Sequence, residues 1–244
     1  MTSPQVVDID KYIQHMADCE TAEEVWNCCV EFFHSHDFET VSYHVMPLAW
    51  ETSDSALQIR SDGLPAEWVE NYHDRKLWQI DPIPAAALNR SLPFLWSDLE
   101  NLRQLTASEQ EFIDEMEEKV EGDGIAIQVF GPYGRNGYFG LGYVRDVAPL
   151  SRADLRMLQW ACQLTHHRYC EVEDFERAPL SKREQEVLSW VARGKSNSSI
   201  ADILEISSYT VDAYMRRIYQ KLGVNDRVSA AIRGLGSGLI KSAA

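Results

Sequence analysis

The 244-residue sequence lacks the features that would place it in a membrane or in an oxidising compartment. It contains no uninterrupted apolar run of about 18 residues, the length that a membrane-spanning helix needs. Its first residues are polar and acidic, whereas a secretory signal would be basic and then apolar. Its five cysteines form no C-x-x-C pair, which argues against a disulfide framework. We therefore expect a cytoplasmic protein with free, buried thiols and no membrane partner.

The residue patterns typical of enzymes are also missing. The sequence has no nucleophile elbow and no phosphate-binding loop. Two histidine pairs, His34 with His36 and His166 with His167, have the wrong spacing to bring two imidazoles together on one helix as metal ligands. We expect no catalysis, no bound metal and no cofactor.

Basic residues are scarce and unevenly distributed. The net charge of −15 taken alone disfavours nucleic acid as a partner. Residues 178–244, however, hold 10 Lys and Arg against 6 Asp and Glu, whereas residues 1–177 hold 13 against 32. A basic segment attached to an acidic body is typical of a protein with a separate nucleic-acid-binding domain.

The length of the chain and a charged segment ending at Pro179 predict two domains. We place a linker at residues 171–179, between one domain at 1–170 and another at 180–244. In the first domain, residue type predicts strands at 40–46, 57–60, 125–130 and 138–144. Apolar periodicity predicts helices at 8–18, 22–34, 66–72, 107–120 and 152–169. The expected fold is α+β: an α/β/α sandwich around an antiparallel sheet, with a hairpin through residues 131–137, followed by an all-α domain.

The C-terminal domain has the pattern of a helix-turn-helix. Ser181-Lys-Arg-Glu184 predicts a capping box, and Gly194 favours the end of the helix that follows. Ser196 and Ser207 then suit the starts of a second and a third helix. In the third helix, steps of four, three and four predict one buried stripe, formed by Val211, Met215, Ile218 and Leu222. Asp226 could cap a fourth helix that carries Val228, Ala231 and Ile232.

The other side of the third helix would be exposed, polar and cationic, which suits contacts with base edges and phosphates. We expect the DNA contacts to come from this face and its flanks: Lys195, Ser208, Tyr209, Thr210, Asp212, Ala213, Arg216, Arg217, Gln220 and Lys221. On periodicity and caps alone, a small helical bundle with a solvated arginine face remains the alternative.

The C-terminal run resembles the LuxR-type helix-turn-helix over residues 178–240. Glu184, Leu188 and Gly194 stand at the family's own spacing, and Lys221-Leu-Gly-Val follows the third helix. The chain departs from the pattern at Asp212, where the family commonly has a lysine after Thr-Val. The resemblance implies a phosphate contact at this position, which aspartate would weaken; it could instead accept a hydrogen bond from a cytosine amine.

Two aromatic residues and one acid of the N-terminal domain place polar groups among apolar neighbours. Trp68 and Tyr72 share one helical face, and Asp81 follows an apolar stretch and precedes Pro82, which favours an extended backbone. A carboxylate in apolar surroundings is costly unless a donor reaches it. From the residues alone, the two aromatics could simply belong to the core and Asp81 could cap a helix.

Residues 20–170 resemble the autoinducer-binding domain of LuxR-type regulators. Six positions carry the resemblance: Trp68, Tyr72, Asp81, Pro82, Trp96 and Gly124. It implies that Trp68 donates to the lactone carbonyl of an acyl-homoserine lactone. Asp81 would accept the hydrogen bond of the ligand's amide N–H, while Tyr72 and Trp96 would form walls of the cavity.

Two departures concern hydrogen-bond donors. Leu64 stands where many family members have a tyrosine, and Gly142-Tyr143 lies near the strand position that often supplies a serine or threonine. We expect Leu64 to line the ligand and Tyr143 to replace the missing donor. An aryl, branched or unusual acyl group therefore remains open.

The resemblance also implies partners. A twofold operator requires two recognition helices, so we expect a homodimer, with residues 152–169 either forming the sensor-domain contact or belonging to the core. Double-stranded DNA, a quorum-sensing autoinducer and RNA polymerase are the other expected partners. The alternative is a regulator of the same type that responds to a different small molecule or works without a ligand.

Overall fold

The computed structural model describes residues 9–46, 58–143, 150–173 and 180–240, which fall into two compact units. Residues 174–179, most of the predicted linker, lie outside the described residues. So do the ends of three predicted segments, at positions 8, 57 and 144. None of the described helices is both long enough and apolar enough to cross a membrane.

The N-terminal unit is built on a five-stranded antiparallel sheet with the strand order β2-β1-β5-β4-β3. The strands are β1 Thr40–Val45, β2 Gln58–Asp62, β3 Phe94–Leu95, β4 Asp123–Val129 and β5 Gly137–Tyr143. β4 and β5 pair from Val129 with Gly137 onward, which confirms the predicted hairpin.

Helices cover both faces of this sheet. Those of the unit are α1 Ile9–Asp18, α2 Ala22–His34, α3 Ala66–Asp74, α4 Pro82–Leu88, α5 Leu99–Leu102, α6 Ala107–Lys119 and α7 Arg152–Val172. α1, α2 and α7 share a hydrophobic cluster with one face, which we call the α7 face. α3, α4 and α6 share a second cluster with the other, the α3 face. The predicted α/β/α sandwich is therefore confirmed.

Strand alternation divides the sheet residues between the two faces, because successive side chains of a strand point to opposite sides. In β5, Phe139 and Leu141 join the α7-face cluster, whereas Tyr138 joins the α3-face cluster. In β1, Val41 and Tyr43 belong to the α7 face, so Ser42 and the next even-numbered residue face α3.

The helix α7 extends beyond its prediction. It begins at Arg152, as predicted, after a capping box formed by Ser151 and Asp154, but it continues to Val172 rather than ending at residue 169. The first two residues of the predicted linker are therefore helical.

The C-terminal unit consists of α8 Lys182–Ala192, α9 Asn197–Leu204, α10 Ser208–Leu222 and α11 Arg227–Gly236. The predicted capping box is present: the Ser181 hydroxyl accepts from the Glu184 amide at 3.3 Å, and the Glu184 carboxylate accepts from the Ser181 amide at 2.7 Å. Gly194 follows the end of α8 with a φ of +75°, a left-handed conformation that favours glycine. The predicted buried stripe of α10 is confirmed.

Asp226 caps α11 as predicted, and the large apolar residues of this helix point away from the core. Val228 and Ile232 are 66% and 44% exposed, and the residues that face the core are Ala230 and Gly234. A side-chain carbon at Gly234 would lie only 2.6 Å from Leu188, so the two helices approach too closely for a large residue there. This close approach turns the small residues inward and leaves the larger ones outside.

Candidate ligand site and DNA-recognition face

Asp81 has a different partner on each carboxylate oxygen. It is the N-cap of α4, where Oδ1 accepts from the Ile83 amide at 2.9 Å, so the helix-cap interpretation is confirmed as local geometry. Its Oδ2 accepts from the Tyr72 hydroxyl at 2.7 Å. The residue is 8% exposed, and this burial raises the pKa of Asp81 to about 6, against the opposing effect of the two hydrogen bonds.

The local backbone holds Asp81 in place from both sides. Before it, Lys76 has a left-handed φ of +53° that reverses the chain after α3, and the Asp81 amide donates to the Leu77 carbonyl at 2.9 Å. After it, Pro82 is the first residue of α4, where a missing amide hydrogen costs nothing. The turn thus returns the carboxylate towards the helix that carries Tyr72.

Aromatic side chains form a wall beside the carboxylate. Trp68 and Tyr72 are each 6% exposed and stand one turn apart on α3. Phe112 of α6 packs against both, with ring centroids 5.7 Å from Trp68 and 6.1 Å from Tyr72. Leu64 is half-buried against the same cluster. These side chains are the apolar surroundings in which an uncompensated carboxylate is expensive.

Trp96 lies across the sheet over three glycines. An added side-chain carbon would be 2.6 Å from the Trp96 ring at Gly124, 3.1 Å at Gly140 and 3.5 Å at Gly142. Gly124, one of the six positions of the resemblance, is therefore required by the indole above it. The buried Nε1 of Trp96 has no hydrogen-bond partner among the residues that the structure describes.

Three polar side chains of the sheet belong to the same region, and sequence reasoning missed them. Ser42 and His44 of β1 are 7% and 5% exposed, and Tyr138 of β5 is 4% exposed. His44 Nε2 and the Tyr138 hydroxyl are 3.1 Å apart. The available signal was the alternation in β1, where Thr40, Ser42 and His44 occupy every second position between apolar and aromatic residues.

The C-terminal unit presents one polar face of α10. Most of the expected DNA contacts are exposed, and Thr210 and Ala213 are half-buried. Arg216 and Arg217 are both exposed; the guanidinium of Arg217 lies 5.6 Å from the centre of the Tyr214 ring. Such a face, on the last helix of a helix-turn-helix, is the geometry that reads the major groove.

Two family models match the chain, and together they account for both units. Residues 21–169 match the autoinducer binding domain, and residues 178–233 match the model of bacterial regulatory proteins of the luxR family. The chain belongs to the LuxR family. It is thus a quorum-sensing transcriptional regulator with an autoinducer-binding domain and a DNA-binding domain, and not an enzyme.

Curated relatives agree with this membership, and a solved structure shares the fold. The transcriptional activator protein AnoR of Acinetobacter nosocomialis is 29% identical over 191 residues, 75% of this chain and 78% of that protein. BjaR1 of Bradyrhizobium diazoefficiens, also named a transcriptional activator, is 24% identical and aligns over 90% of each chain. The crystal structure of Escherichia coli SdiA has the same fold, with a TM-score of 0.75 at 22% identity over 96% of this chain and 100% of that one.

Of the ligand-binding residues expected in this LuxR-family chain, Tyr143 lies on the wrong side of the sheet. Its ring packs on the α7 face, edge-on to Phe38 at 6.2 Å, so it does not join the other five expected residues. The α3 face carries a hydroxyl on another strand, that of Ser42 in β1. Ser42 pairs with Gly140, and a side-chain carbon at Gly140 would lie 2.6 Å from the Ser42 hydroxyl oxygen.

Two of the expected DNA-binding residues have partners inside the protein. The Asp212 carboxylate accepts from the side-chain amide of Asn197 at 2.6 Å, which ties α9 to α10. The Lys221 ammonium forms an ion pair at 2.7 Å with Glu184, whose side chain is 3% exposed. Both residues therefore make contacts between helices of the unit, which the sequence pattern did not reveal.

Proposed function

We propose that the N-terminal domain of this LuxR-family regulator binds an acyl-homoserine lactone, with Asp81 as the acceptor for the ligand's amide N–H. The observation that carries the proposal is a buried carboxylate with a raised pKa, set against an aromatic wall. An acyl-homoserine lactone offers one amide donor and an apolar chain, which match this acceptor and this wall.

The remaining polar groups then take complementary roles. We assign the donor for the lactone carbonyl to the Trp68 indole and the donor for the amide carbonyl to the Ser42 hydroxyl. Among the described residues, the Ser42 hydroxyl donates only a long hydrogen bond, 3.5 Å to the Gly140 carbonyl, so it can turn to a better acceptor. Tyr72, Trp96 and Leu64 line the ligand.

We also propose that the chain consists of two domains, at residues 1–170 and 180–244, joined by a linker at 171–179.

The test compares two aspartates that both cap helices. Asp81→Asn keeps the cap of α4 but removes the charge beside the ligand, whereas Asp226→Asn makes the same change at the cap of α11. We expect N-octanoyl-homoserine lactone to raise the melting temperature of the wild type and of Asp226→Asn. Its affinity for Asp81→Asn should be lower by several-fold to about a hundredfold, because a charge-assisted hydrogen bond becomes a neutral one. Equal affinities in all three proteins would contradict the role of Asp81.

A second ligand class is tested by the same melts. The related SdiA has been solved in complex with octanoyl-rac-glycerol, an ester whose hydroxyls could also donate to a carboxylate. A melting shift with octanoyl glycerol and none with the lactone would favour that class for this chain. No shift with either compound would favour a regulator that works without such a ligand.

We propose that the regulator binds its operator as a homodimer through α11. Val228, Ile232 and Leu235 form a stripe along this helix and are 66%, 44% and 39% exposed. A second copy could cover this stripe, and Trp160 on α7, 74% exposed, offers a further contact in the sensor unit. Contact with RNA polymerase is proposed from the relatives that are named activators.

Sedimentation of Ile232→Asp tests the dimer. We expect this variant to be monomeric at micromolar concentration, where the wild type with ligand is dimeric. Ile13→Asp, the same change at a residue 46% exposed on α1, serves as the control and should remain dimeric. A wild type that is monomeric with and without ligand and DNA would contradict the proposal.

A further inference from the structure

Two buried tyrosine–histidine pairs lie on opposite faces of the sensor sheet, and they differ in one hydrogen bond. On the α7 face, the Tyr43 hydroxyl is 2.7 Å from His166 Nδ1, and His166 Nε2 is 2.8 Å from the Arg135 backbone carbonyl. On the α3 face, the Tyr138 hydroxyl is 3.1 Å from His44 Nε2, but His44 Nδ1 has no partner among the described residues. The first pair is complete within the protein, and the second is not.

The chemistry of the incomplete pair is well defined because His44 is neutral. Burial lowers the pKa of His44 to about 3, so its ring carries one N–H and one lone pair. If the Tyr138 hydroxyl donates to Nε2, Nδ1 is a free donor and the phenol oxygen a free acceptor. If Nε2 donates to Tyr138, the hydroxyl is the free donor and Nδ1 the free acceptor. In either arrangement the pair offers one donor and one acceptor.

The pair lies close to Asp81. Tyr72, whose hydroxyl donates to Asp81 Oδ2 at 2.7 Å, has its ring edge-on to His44 at 6.1 Å. Burial and, after it, the charge of the Asp81 carboxylate raise the pKa of Tyr138 above its ordinary value. One tyrosine side chain therefore separates the pair from the carboxylate to which we assign the ligand's amide.

We propose that His44 and Tyr138 form a subsite for an oxygen on the acyl chain near the amide, so that the preferred ligands are 3-oxo- or 3-hydroxyacyl-homoserine lactones. This inference rests on the proposed function. A keto oxygen accepts from the free donor of the pair, and a hydroxyl can both accept from it and donate to it. An unsubstituted chain leaves the buried nitrogen unpaired, which is unfavourable in an apolar site.

The test measures the affinities of three lactones of equal chain length by calorimetry: N-octanoyl-, N-3-oxooctanoyl- and N-3-hydroxyoctanoyl-homoserine lactone. For the wild type we expect at least one oxygenated ligand to bind about three- to tenfold more tightly than the octanoyl compound, the effect of one neutral hydrogen bond. The double variant His44→Leu/Tyr138→Phe replaces both partners by apolar groups of similar shape. It should lose this preference, so that the ratio between its affinities for the oxygenated and the octanoyl compounds falls to about one.

The complete pair on the other face provides the matched control. Tyr43→Phe/His166→Leu makes the same two changes and should keep the preference. If the first double variant does not fold, the ring ¹⁵N shifts of His44 in the wild type decide: they should move with an oxygenated ligand and stay with the octanoyl one.

Each result has a separate meaning. Equal wild-type affinities for the three lactones, or a preference that survives in His44→Leu/Tyr138→Phe, would overturn the subsite and leave the proposed function standing. Binding of none of the three would overturn the proposed function and this inference with it.

Discussion

The two units of the molecule treat their buried polar groups differently. In the DNA-binding unit, the buried carboxylate of Glu184 accepts from both the Lys221 ammonium and the Ser181 amide at 2.7 Å. In the sensor unit, Asp81 is buried with a raised pKa, and His44 Nδ1 and Trp96 Nε1 have no partners among the described residues. Among the described residues, the DNA-binding unit pairs its buried carboxylate within the protein, whereas the sensor unit leaves these two buried nitrogens without a partner.

This difference supports the proposed ligand site at Asp81 more directly than the size of surface clefts does. An open cleft of about 770 Å³ lies beside α6; Glu117, Glu121 and Asp123 line it together with Trp96 and Tyr143, but Asp81 does not. An acidic, open surface is a poor place for an apolar chain, because the chain would gain little burial there. Unpaired buried polar atoms next to aromatic side chains are the more informative sign.

Removing Glu184 should have the largest effect on stability, because the buried carboxylate holds two hydrogen-bonded partners in the DNA-binding unit. Glu184→Ala removes the ion pair with Lys221 and half of the capping box, and we expect a loss of about 2–3 kcal/mol in the unfolding free energy measured in urea. The expected loss allows for solvent screening of the ion pair, because the lysine side chain is 34% exposed. Glu186→Ala, on the same helix and in an exposed pair with Arg183, should cost less than about 0.5 kcal/mol. Similar losses in the two variants would remove the contrast between the units.

In the protein without ligand, Asp81→Asn should raise the free energy of unfolding, whereas Glu184→Ala lowers it. The folded-state pKa of about 6 lies above the ordinary 3.8, so the wild type has its full stability from this group at low pH and loses it as pH rises through about 6. Asparagine does not ionise. The variant should therefore be more stable than the wild type by about 1–3 kcal/mol at pH 7.5, with the advantage fading towards pH 4. Melts of both proteins across this pH range measure the difference.

Asp226→Asn again supplies the control, because hydrogen bonds from Ser229 lower the pKa of Asp226. Its wild-type contribution is present at neutral pH and is lost on acidification, so this variant should be the less stable one at pH 7.5. A shared sign for the two aspartates would show that Asp81 is an ordinary cap.

The arginines of α10 should affect DNA binding without affecting the sensor. Arg216→Ala and Arg217→Ala each remove an exposed cation, and we expect at least one of them to lower discrimination by about 1–3 kcal/mol, as a base contact would. The assay is competition between an operator selected in vitro with the wild type and a scrambled duplex. Arg183→Ala is the control on α8. Unchanged affinity and selectivity in the double alanine variant would contradict the assignment of the recognition helix.

Capping residues and apolar periodicity predicted the limits of the longer helices well. α2 was predicted at residues 22–34 and has these limits in the structure, because Thr21 and Glu24 form a capping box at its start. The short β3 was missed, and α4 was anticipated only as the helix that Asp81 could cap. Neither is long enough to show a period, and the two prolines of α4 disfavour a helix in isolation.

The candidate site was predicted only in part, for reasons of geometry. Helical spacing predicted that Trp68 and Tyr72 share one face. The contact of Asp81 with Tyr72 depends on the left-handed turn at Lys76, and a lysine does not predict that conformation. Tyr143 was misplaced because a shift of one position along a strand reverses the face. The contact of His44 with Tyr138 was not predicted, because it depends on the pairing of β1 with β5, two strands almost a hundred residues apart in the sequence.

The smallest expected effect comes from Asp212, where the chain departs from its family. Asp212→Lys would remove a negative charge from the recognition helix and restore the lysine that the family commonly carries, so affinity for all duplexes should rise and the salt dependence should steepen by about one unit of slope. Stability should change by less than about 0.5 kcal/mol, because the hydrogen bond to Asn197 is exposed. Glu117→Lys makes the same charge change at an exposed position of the sensor unit and should leave the slope unaltered. A gain in affinity confined to the operator would mean that Asp212 acts on base recognition, whereas a loss would mean that its bond to Asn197 positions α10 for DNA.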